Sequence, residues 1–244
     1  MPAESARSAY DAWHTRYAVD AESDAPWHRL VKRHLDGSRD LHRRTVLEIG
    51  SGRGGFACWL AGQVQKPAML LAADFACTAV QKGKAFAQGR GVADIRWAIG
   101  DIQTLAHREG TFDTVISCET IEHVPDPRGA LRELARVLKP GGRLYLTTPN
   151  YLGTMGLYRA YLRLTGRRYT EEGQPINRAV VLPRTLAWIR CAGLRVLTVD
   201  AVGHYLPFPG RPPIELPVLN RPRWLMRWFG LHSLVVATKP RSVR

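Results

Sequence analysis

Short apolar and β-branched runs alternate along the chain with segments of helical periodicity. The runs predict seven strands, at 45–50, 68–74, 94–99, 112–118, 143–149, 194–202 and 232–239. Apolar positions at helical spacing predict helices at 54–64, 76–89, 127–138 and 183–192. The third helix is expected to stop at KPGG, because proline and glycine do not continue a helix. This alternation predicts an α/β fold whose parallel sheet is covered by helices on both faces.

Two long connections interrupt the alternation. Residues 151–182 separate the fifth strand from its helix, and residues 203–231 separate the last two strands. Long connections in a compact domain are usually functional or disordered. We therefore expect both to be insertions on the substrate side of a single domain spanning 1–244.

Composition limits the location and the partners of the chain. Its 244 residues, 45% of them hydrophobic, are enough to bury a core. No apolar run reaches the roughly 18 residues of a spanning helix, and the first residues lack a signal-peptide layout, so a soluble, cytoplasmic protein is expected. The four cysteines form no C-x-x-C pair, so neither a zinc knuckle nor a disulfide framework is indicated.

The formal net charge of +14 is concentrated after residue 150, where 15 Arg and Lys face 4 Asp and Glu. Such a bias is compatible with nucleic acid, an anionic membrane surface or an anionic substrate. No RNA-binding module accompanies the basic residues, so nucleic acid is the least favoured of these partners.

The stretch VLEIGSGRGG leads from a predicted buried strand into a glycine-rich turn. Its Gly50, Gly52 and Gly55 satisfy G-x-G-x-x-G, the pattern of dinucleotide-binding dehydrogenases. Glu48 argues against that interpretation, because a pyrophosphate-binding turn avoids negative charge. S-adenosylmethionine instead carries an ammonium and a sulfonium and has no phosphate. The loop residues expected at this cofactor are Glu48, Gly50, Ser51, Gly52 and Gly54.

Two further acids follow the next predicted strands. Asp74 ends the second strand, where a carboxylate can accept hydrogen bonds from both ribose hydroxyls, and Phe75 follows it. Asp101 and Ile102 follow the third strand, where an acid can accept from an adenine amine and a backbone amide can meet a ring nitrogen. An Asp at a strand end is also a common turn or helix cap. Three acids in register with a glycine loop favour the cofactor site.

Taken together, these motifs resemble the class I S-adenosylmethionine-dependent methyltransferases, especially the small-molecule branch that includes the ubiquinone-biosynthesis O-methyltransferases. The resemblance is carried by VLEIGSGRGG, AADF, GDI, FDTVISCETIEHVPDP and LKPGGRLYLTTPN. It implies a Rossmann-like, seven-stranded, mostly parallel sheet with an antiparallel last strand. It also implies that residues 45–150 form the cofactor-binding core and that 1–44 form an N-terminal helical lid.

The stretch CETIEHVPDP places Glu119, Glu122 and His123 at the spacing that shares one face of a helical turn. They can be scaffold, with capping, solvation and packing as their only roles. E-x-x-E-H also resembles a divalent-ion site of related methyltransferases, but residues 171–183 lack the further histidine of that site, so no metal is predicted. The third interpretation, used for the site assignment, places Cys118 and Glu119 at the cofactor. Glu119 and His123 are then the catalytic candidates, with His123 as an acid/base or orienting group.

Aromatic residues are the candidates for the acceptor side. Tyr10, Trp13 and His14 share one face of a predicted helix, which either docks on the core or closes over the cofactor. Tyr151 and Tyr158 lie in the first long connection. The basic, aromatic segment 221–229 either covers a sheet edge or contacts an anionic membrane or a lipid-like acceptor.

The expected activity is methyl transfer from S-adenosylmethionine to a hydroxyl or amine of a small metabolite, sugar or lipid-like acceptor, by in-line displacement. The alternative is a non-catalytic S-adenosylmethionine-binding scaffold or regulatory module. The complete set of cofactor motifs favours the enzyme.

Overall fold

A computed structural model describes residues 3–17, 21–167, 173–208, 211–220 and 227–241. The strands are β1 Thr45–Ile49, β2 Met69–Asp74, β3 Arg96–Ile99, β4 Phe112–Ser117, β5 Leu138–Pro149, β6 Arg195–Val202, β7 Tyr205–Phe208, β8 Arg211–Glu215 and β9 His232–Thr238. The helices are α1 Ala3–Arg16, α2 Pro26–His34, α3 Gly55–Ala61, α4 Cys77–Gly89, α5 Pro127–Val137, α6 Thr154–Leu164 and α7 Leu182–Cys191.

The central sheet has the strand order β3-β2-β1-β4-β5-β9-β6. The first five strands of the chain pair in parallel, and β9 runs antiparallel to both β5 and β6. This confirms the predicted Rossmann-like sheet and its antiparallel last strand. Because β1 to β4 run in the same direction, the segments that follow them meet at one edge, the carboxyl edge of the sheet.

Both faces of the central strands are buried, as their near-continuous apolar runs require. In β1, Val46 packs into the cluster that contains Phe56 of α3, whereas Leu47 packs into the cluster that contains Leu134 of α5 and Ile189 of α7. Successive residues of a strand point to opposite faces. The helices therefore form two layers, one on each side of the sheet.

Helix α5 ends just before KPGG, as predicted, but β5 begins at Leu138, earlier than expected, so that KPGG lies within the strand. Leu138 already pairs with Phe112, and the register shifts before the next pair of residues. Gly141, at φ +83°, lies within this irregular part of the strand. An irregularity of this kind absorbs extra residues without ending the pairing, so helix and strand follow one another directly.

The two long connections contain structure that the periodicity did not predict: α6 in the first, and the β7–β8 hairpin in the second. They pack on each other through a small buried cluster of Tyr151, Met155 and Leu231. The buried side chain of Asn150 links them, because its Nδ2 donates to the Trp228 carbonyl (2.8 Å) and its Oδ1 accepts from the Leu182 amide (2.9 Å). The substrate-side role of both connections stays a prediction.

Among the described helices, none combines the length and the apolar character needed to cross a membrane. Residues 221–226, most of the segment predicted to contact a membrane or an acceptor, lie outside the described residues.

The buried carboxylate of Asp40 attaches the segment before β1 to the sheet. It accepts hydrogen bonds from Tyr145 Oη (2.6 Å), from Arg39 Nε (2.9 Å) and Nη2 (2.8 Å), and from the Asp36 amide (2.9 Å). Thr114 of β4 donates to the Asp40 carbonyl at 2.7 Å. Burial opposes ionisation of Asp40, but the hydrogen bonds from Arg39 and Tyr145 outweigh it and lower the pKa.

Replacing Asp40 by alanine should lower the free energy of unfolding by about 1–3 kcal/mol, because it removes the buried acceptor of Tyr145 Oη, of the Asp36 amide and of the partly exposed Arg39 guanidinium. Denaturant titration at neutral pH measures the loss. Since the pKa of Asp40 is lowered in the folded protein, the difference from wild type should shrink as the pH falls towards that pKa. Asp94→Ala, which removes an exposed partner of Lys66, is the matched control and should change stability little. Equal effects of the two substitutions would contradict the assignment.

Candidate active site

The carboxyl edge of the sheet brings the predicted cofactor residues together. Because β2 lies between β3 and β1, Asp101 after β3, Asp74 at the end of β2 and Glu48 in β1 belong to three adjacent strands. Cys118 and Glu119 follow β4, which lies on the other side of β1. The sheet order alone therefore gathers three acids and the segment after β4 at one edge.

The glycines in the loop after β1 allow a left-handed backbone conformation and the close approach of neighbouring side chains. Gly50, Gly52 and Gly54 have φ values of +78°, +52° and +76°, in the left-handed region that favours glycine. A Cβ at Gly50 would collide with the Thr120 side chain, and one at Gly54 with the ring of Trp97. The loop therefore folds tightly against both the segment after β4 and β3.

Asp74 holds this loop against the end of β2. Its Oδ2 accepts a hydrogen bond from the Gly52 amide (2.8 Å), and its Oδ1 accepts one from the Ala76 amide (2.9 Å). Burial raises the pKa of Asp74 to about 6, and these backbone amides oppose the rise. Each carboxylate oxygen has a second lone pair, so Asp74 can still accept hydrogen bonds from a ligand.

Glu48 and Asp101 have different surroundings. Glu48 is buried in β1, and its carboxylate contributes, after burial, to the raised pKa of the Cys58 thiol in α3. Asp101 forms the turn that was its alternative interpretation: its Oδ1 accepts from the Gln103 amide at 2.8 Å. The Ile102 side chain is buried in the core, so only its backbone is available to a ligand.

Helix α1 is attached to the glycine loop and to α4 by charged side chains. Arg53, between two loop glycines, donates to the carbonyls of His14 (2.8 Å) and Tyr17 (2.6 Å). Lys82 of α4 also donates to the His14 carbonyl, at 2.9 Å. These carbonyls end α1, where a helix attracts positive charge. The helix therefore lies next to the predicted cofactor loop.

The aromatic candidates of α1 differ in exposure. Trp13 and His14 are both 6% exposed, and burial lowers the pKa of His14 to about 4. Both residues help to pack α1 against the rest of the molecule. Tyr10 reaches further, because its Oη donates to the His123 carbonyl at 3.1 Å and its ring meets Phe75 edge-on at 6.3 Å.

The two tyrosines predicted for the acceptor side lie in the small cluster between the long connections. Tyr151 is buried, and the guanidinium of Arg159 lies 4.6 Å from the centre of its ring. Tyr158 is partly buried and packs against the same cluster. The cluster holds the two connections together next to the end of β5.

The expectation that Glu119, Glu122 and His123 share one helical face is wrong. A short 3-10 helix covers only Ile121–His123, and Glu119 precedes it with φ +44°. The Glu119 amide donates to both the carbonyl and Oγ1 of Thr147 in β5 (3.1 Å each), which holds this residue at the sheet edge. The carboxylates consequently separate. Glu122 is buried, and its carboxylate accepts a hydrogen bond from Thr148 Oγ1 at 3.1 Å. The Glu119 carboxylate points towards β9 instead.

Burial favours the neutral form of the His123 imidazole. Its Nδ1 lies 2.7 Å from the Ile176 carbonyl, which only accepts hydrogen bonds, so Nδ1 carries the hydrogen. Nε2 then carries the lone pair, 3.6 Å from Glu122 Oε1. Burial lowers the pKa of His123 to about 4. This side chain can accept a hydrogen bond from a ligand, but it is a weak base at neutral pH.

Glu119 instead faces a histidine that the sequence analysis did not consider. Its Oε2 lies 3.4 Å from Nδ1 of His232, the first residue of β9. His232 pairs with Pro149 and Val202, the last residues of β5 and β6. The available signal was the antiparallel last strand, because such a strand begins where the parallel strands end.

Among the described residues, no three His, Cys, Asp or Glu side chains form a group that could hold a metal ion. Glu122 and His123 remain neighbours, but Glu119 is turned towards β9. The described E-x-x-E-H residues therefore give no three-ligand group of the kind that the metal interpretation needs.

Comparison with known proteins identifies similar folds and sequences. The family model described as "Methyltransferase domain" matches residues 47–146. The chain is 34% identical over 117 residues to a ubiquinone biosynthesis O-methyltransferase of Paracidovorax citrulli, a match that covers 48% of each chain. It is 32% identical over 178 residues to the protein of that description from Xanthomonas euvesicatoria, covering 70% of this chain and 71% of the relative.

A solved structure is similar over nearly the whole length of both chains. It is the methyltransferase of Haloferax volcanii in complex with the Trm112 methyltransferase activator, with a TM-score of 0.69 and 23% identity. The superposition covers 95% of this chain and 98% of that one. At this level of identity, the likeness supports the fold.

Replacing Asp74 by alanine should weaken S-adenosylmethionine binding by about 1.5–3 kcal/mol, the scale of losing charge-assisted hydrogen bonds. Calorimetry measures the change, and Asp94→Ala is the matched control. Because ribose hydroxyls would favour the ionised carboxylate, wild-type affinity should also fall as the pH drops below about 6. Asp74→Asn should not show that decline. Wild-type affinity in a correctly folded Asp74→Ala protein would contradict the assignment.

Proposed function

Because the chain belongs to the class I S-adenosylmethionine-dependent methyltransferases, we propose that it transfers a methyl group to a hydroxyl or amine of a small metabolite, sugar or lipid-like acceptor. The observation that carries the proposal is the arrangement at the carboxyl edge of the sheet. There the glycine loop and its acids lie beside a second group of polar residues, which follow β4 and begin β9. The names of the relatives favour a hydroxyl as the acceptor group.

The described residues fit S-adenosylmethionine. The hydroxyl of Ser51 is buried and has no hydrogen-bond partner within the described part of the chain, although buried hydroxyls normally have one. A polar group of the cofactor would satisfy it. Asp74 keeps lone pairs for ribose hydroxyls, and Glu48 supplies negative charge near the glycine loop. When bound, the cofactor supplies an electrophilic methyl group on a positively charged sulfur.

We assign the other predicted cofactor residues by their position along the sheet edge. Phe75 and Asp101, which follow β2 and β3, are placed on the adenosine side. Cys118 and Glu119, which follow β4, are placed on the methionine side. In this assignment, residues after β2 and β3 would hold the adenosine part of the cofactor, and residues after β4 would hold the part that carries the methyl group.

The remaining residues align the acceptor and exclude water, which are the main requirements of an in-line displacement. His123 presents the Nε2 lone pair, so it can accept a hydrogen bond from an acceptor hydroxyl and orient it. Helix α1 closes the side next to the glycine loop, where Arg53 and Lys82 hold its last carbonyls. The two long connections are proposed to cover the acceptor, with segment 221–229 as a further contact for a lipid-like acceptor or an anionic membrane.

The function is tested by supplying the protein with methyl-labelled S-adenosylmethionine and a panel of phenols, catechols, sugars and amines. Label should move to at least one class of acceptor. The Asp74→Ala protein should need more cofactor to reach the same rate. Cofactor binding without transfer to any member of the panel would favour the alternative, a non-catalytic binding module.

Replacing His123 by alanine should lower kcat/KM by about 10²-fold, because a misplaced acceptor loses alignment, while cofactor affinity stays unchanged. Steady-state kinetics and calorimetry separate the two effects. His107→Ala is the matched control, because His107 lies against Phe112 at the amino end of β4, away from the site. A chelator should leave wild-type activity unchanged. Chelator-sensitive activity restored by Mg²⁺ would instead support the metal interpretation, and a fully active His123→Ala protein would exclude the orienting role.

A further inference from the structure

We propose that Glu119 and His232 form the proton-accepting pair of the acceptor pocket, in which His232 Nε2 takes the acceptor's proton and Glu119 positions the imidazole. The inference rests on the proposed methyl transfer. It assigns the proton to a residue outside the CETIEHVPDP motif and gives Glu119 a partner that lies 113 positions away in the chain.

The sheet register brings the pair together. His232 begins β9, where it pairs with the last residues of β5 and β6, so it lies at the carboxyl edge. Glu119 comes just after β4, and its amide is bonded to Thr147 of β5. Because β5 lies between β4 and β9, its carboxyl end holds both residues.

The chemistry of the two groups determines which nitrogen of His232 carries the hydrogen. A carboxylate only accepts hydrogen bonds, so Nδ1 of His232 donates to Glu119 Oε2 across 3.4 Å. Nε2 then carries the lone pair. The side chains are 13% and 14% exposed, so the pair is mostly dry and still accessible. A carboxylate behind an imidazole holds its orientation and stabilises the imidazolium that forms.

The backbone of Glu119 is held in a conformation that directs its side chain to this partner. Its φ of +44° lies in the left-handed region, which is unfavourable for a non-glycine residue. Two hydrogen bonds from its amide to Thr147 maintain it. Such strain persists only where the surroundings impose it, and here it turns the carboxylate away from the 3-10 helix that contains His123.

The imidazole of His232 is also enclosed on other sides. The Trp27 ring lies 5.1 Å from it, between ring centres. Gly203, at φ +79°, approaches so closely that a Cβ there would lie 3.1 Å from Cδ2 of His232 and 2.9 Å from the Tyr205 ring. A ring confined in this way has little freedom to rotate, which suits a group that must meet a ligand at a defined angle.

His123 is less suited to receive the proton. Its Nδ1 is bonded to a neutral carbonyl, and burial lowers its pKa to about 4, so protonating it is unfavourable at neutral pH. His28, beside Trp27, stacks on Phe56, and burial lowers its pKa to about 3. A carboxylate also lies near His123, but Glu122 Oε1 is 3.6 Å from its Nε2, whereas Glu119 Oε2 is 3.4 Å from Nδ1 of His232, so Nε2 of His232 lies on the other side of the ring from its carboxylate. His123 then orients the acceptor, and His232 takes its proton.

The step balances in atoms and electrons. The acceptor oxygen forms the new bond to the methyl carbon, and the carbon–sulfur bond breaks with its electron pair on sulfur. The acceptor's O–H proton passes to Nε2 of His232. The carboxylate of Glu119 balances the imidazolium charge until the proton leaves to water.

The main test is His232→Asn, in which the amide nitrogen can replace Nδ1 as a donor to Glu119 while Nε2 is lost. We expect kcat to fall by about 10²–10³-fold with an acceptor hydroxyl that is neutral at the assay pH. S-adenosylmethionine affinity and the melting temperature should stay unchanged. An acidic phenol, already ionised, should recover most of the lost rate. His107→Asn is the matched control.

Glu119→Gln tests the positioning role. Its kcat should fall by about 10–10²-fold, and the acid limb of its pH–rate profile should move to lower pH, because the imidazolium loses its carboxylate. Histidine NMR of the cofactor-free protein gives a readout independent of activity. One imidazole titration should disappear in His232→Asn and should occur at lower pH in Glu119→Gln.

The outcomes separate the two proposals. If wild type transfers label and His232→Asn keeps its rate and pH profile, the pair is refuted and the proposed function stands. If wild type binds the cofactor but labels no acceptor, the proposed function fails and the role of the pair fails with it. A loss of rate that is equal for neutral and ionised acceptors would show a structural role and would also refute the proton transfer.

Discussion

The buried carboxylate of Asp74 ties the glycine loop to the end of β2, and the geometry of the predicted cofactor loop depends on that contact. Both of its oxygens accept backbone amides, from Gly52 and from Ala76, so loop and strand end are set in place without a ligand. A site formed in advance does not spend binding energy on ordering itself. Burial raises the pKa of Asp74, which means that keeping this carboxylate ionised in the interior is unfavourable. Ligand hydroxyls that donate hydrogen bonds to it would offset part of that free energy.

On the other half of the edge, two neighbouring threonines of β5 hold two glutamates in different positions. Thr147 holds the amide of Glu119, and Thr148 donates to the carboxylate of Glu122. Glu119 is therefore directed towards His232 of β9, and Glu122 is buried within the 3-10 helix. Residues three apart in sequence separate because strand contacts, rather than helical spacing, position them.

Part of the large positive charge of the chain is used inside the molecule. Arg53 donates to two carbonyls at the end of α1, and Arg178 donates to the Val124 carbonyl beyond the 3-10 helix. Arg136 donates to the carbonyls of His107 and Leu105. Guanidinium groups present several donors in a fixed geometry, which suits them to satisfy carbonyls at the ends of elements. These contacts fix the orientation of the guanidinium groups, which keep their positive charge.

By itself, the sequence determined the α/β fold, the seven strands and the cofactor edge, because those features follow from local periodicity and from residues directly after strands. Glu48, Asp74 and Asp101 were predicted in this way, and the sheet order brings their strands together. Only the tertiary structure decided that Glu119 leaves its neighbours Glu122 and His123 and meets His232. The physical reason is that this contact depends on the pairing of β4, β5 and β9, and pairing between strands distant in the chain leaves no periodic signal in any one segment.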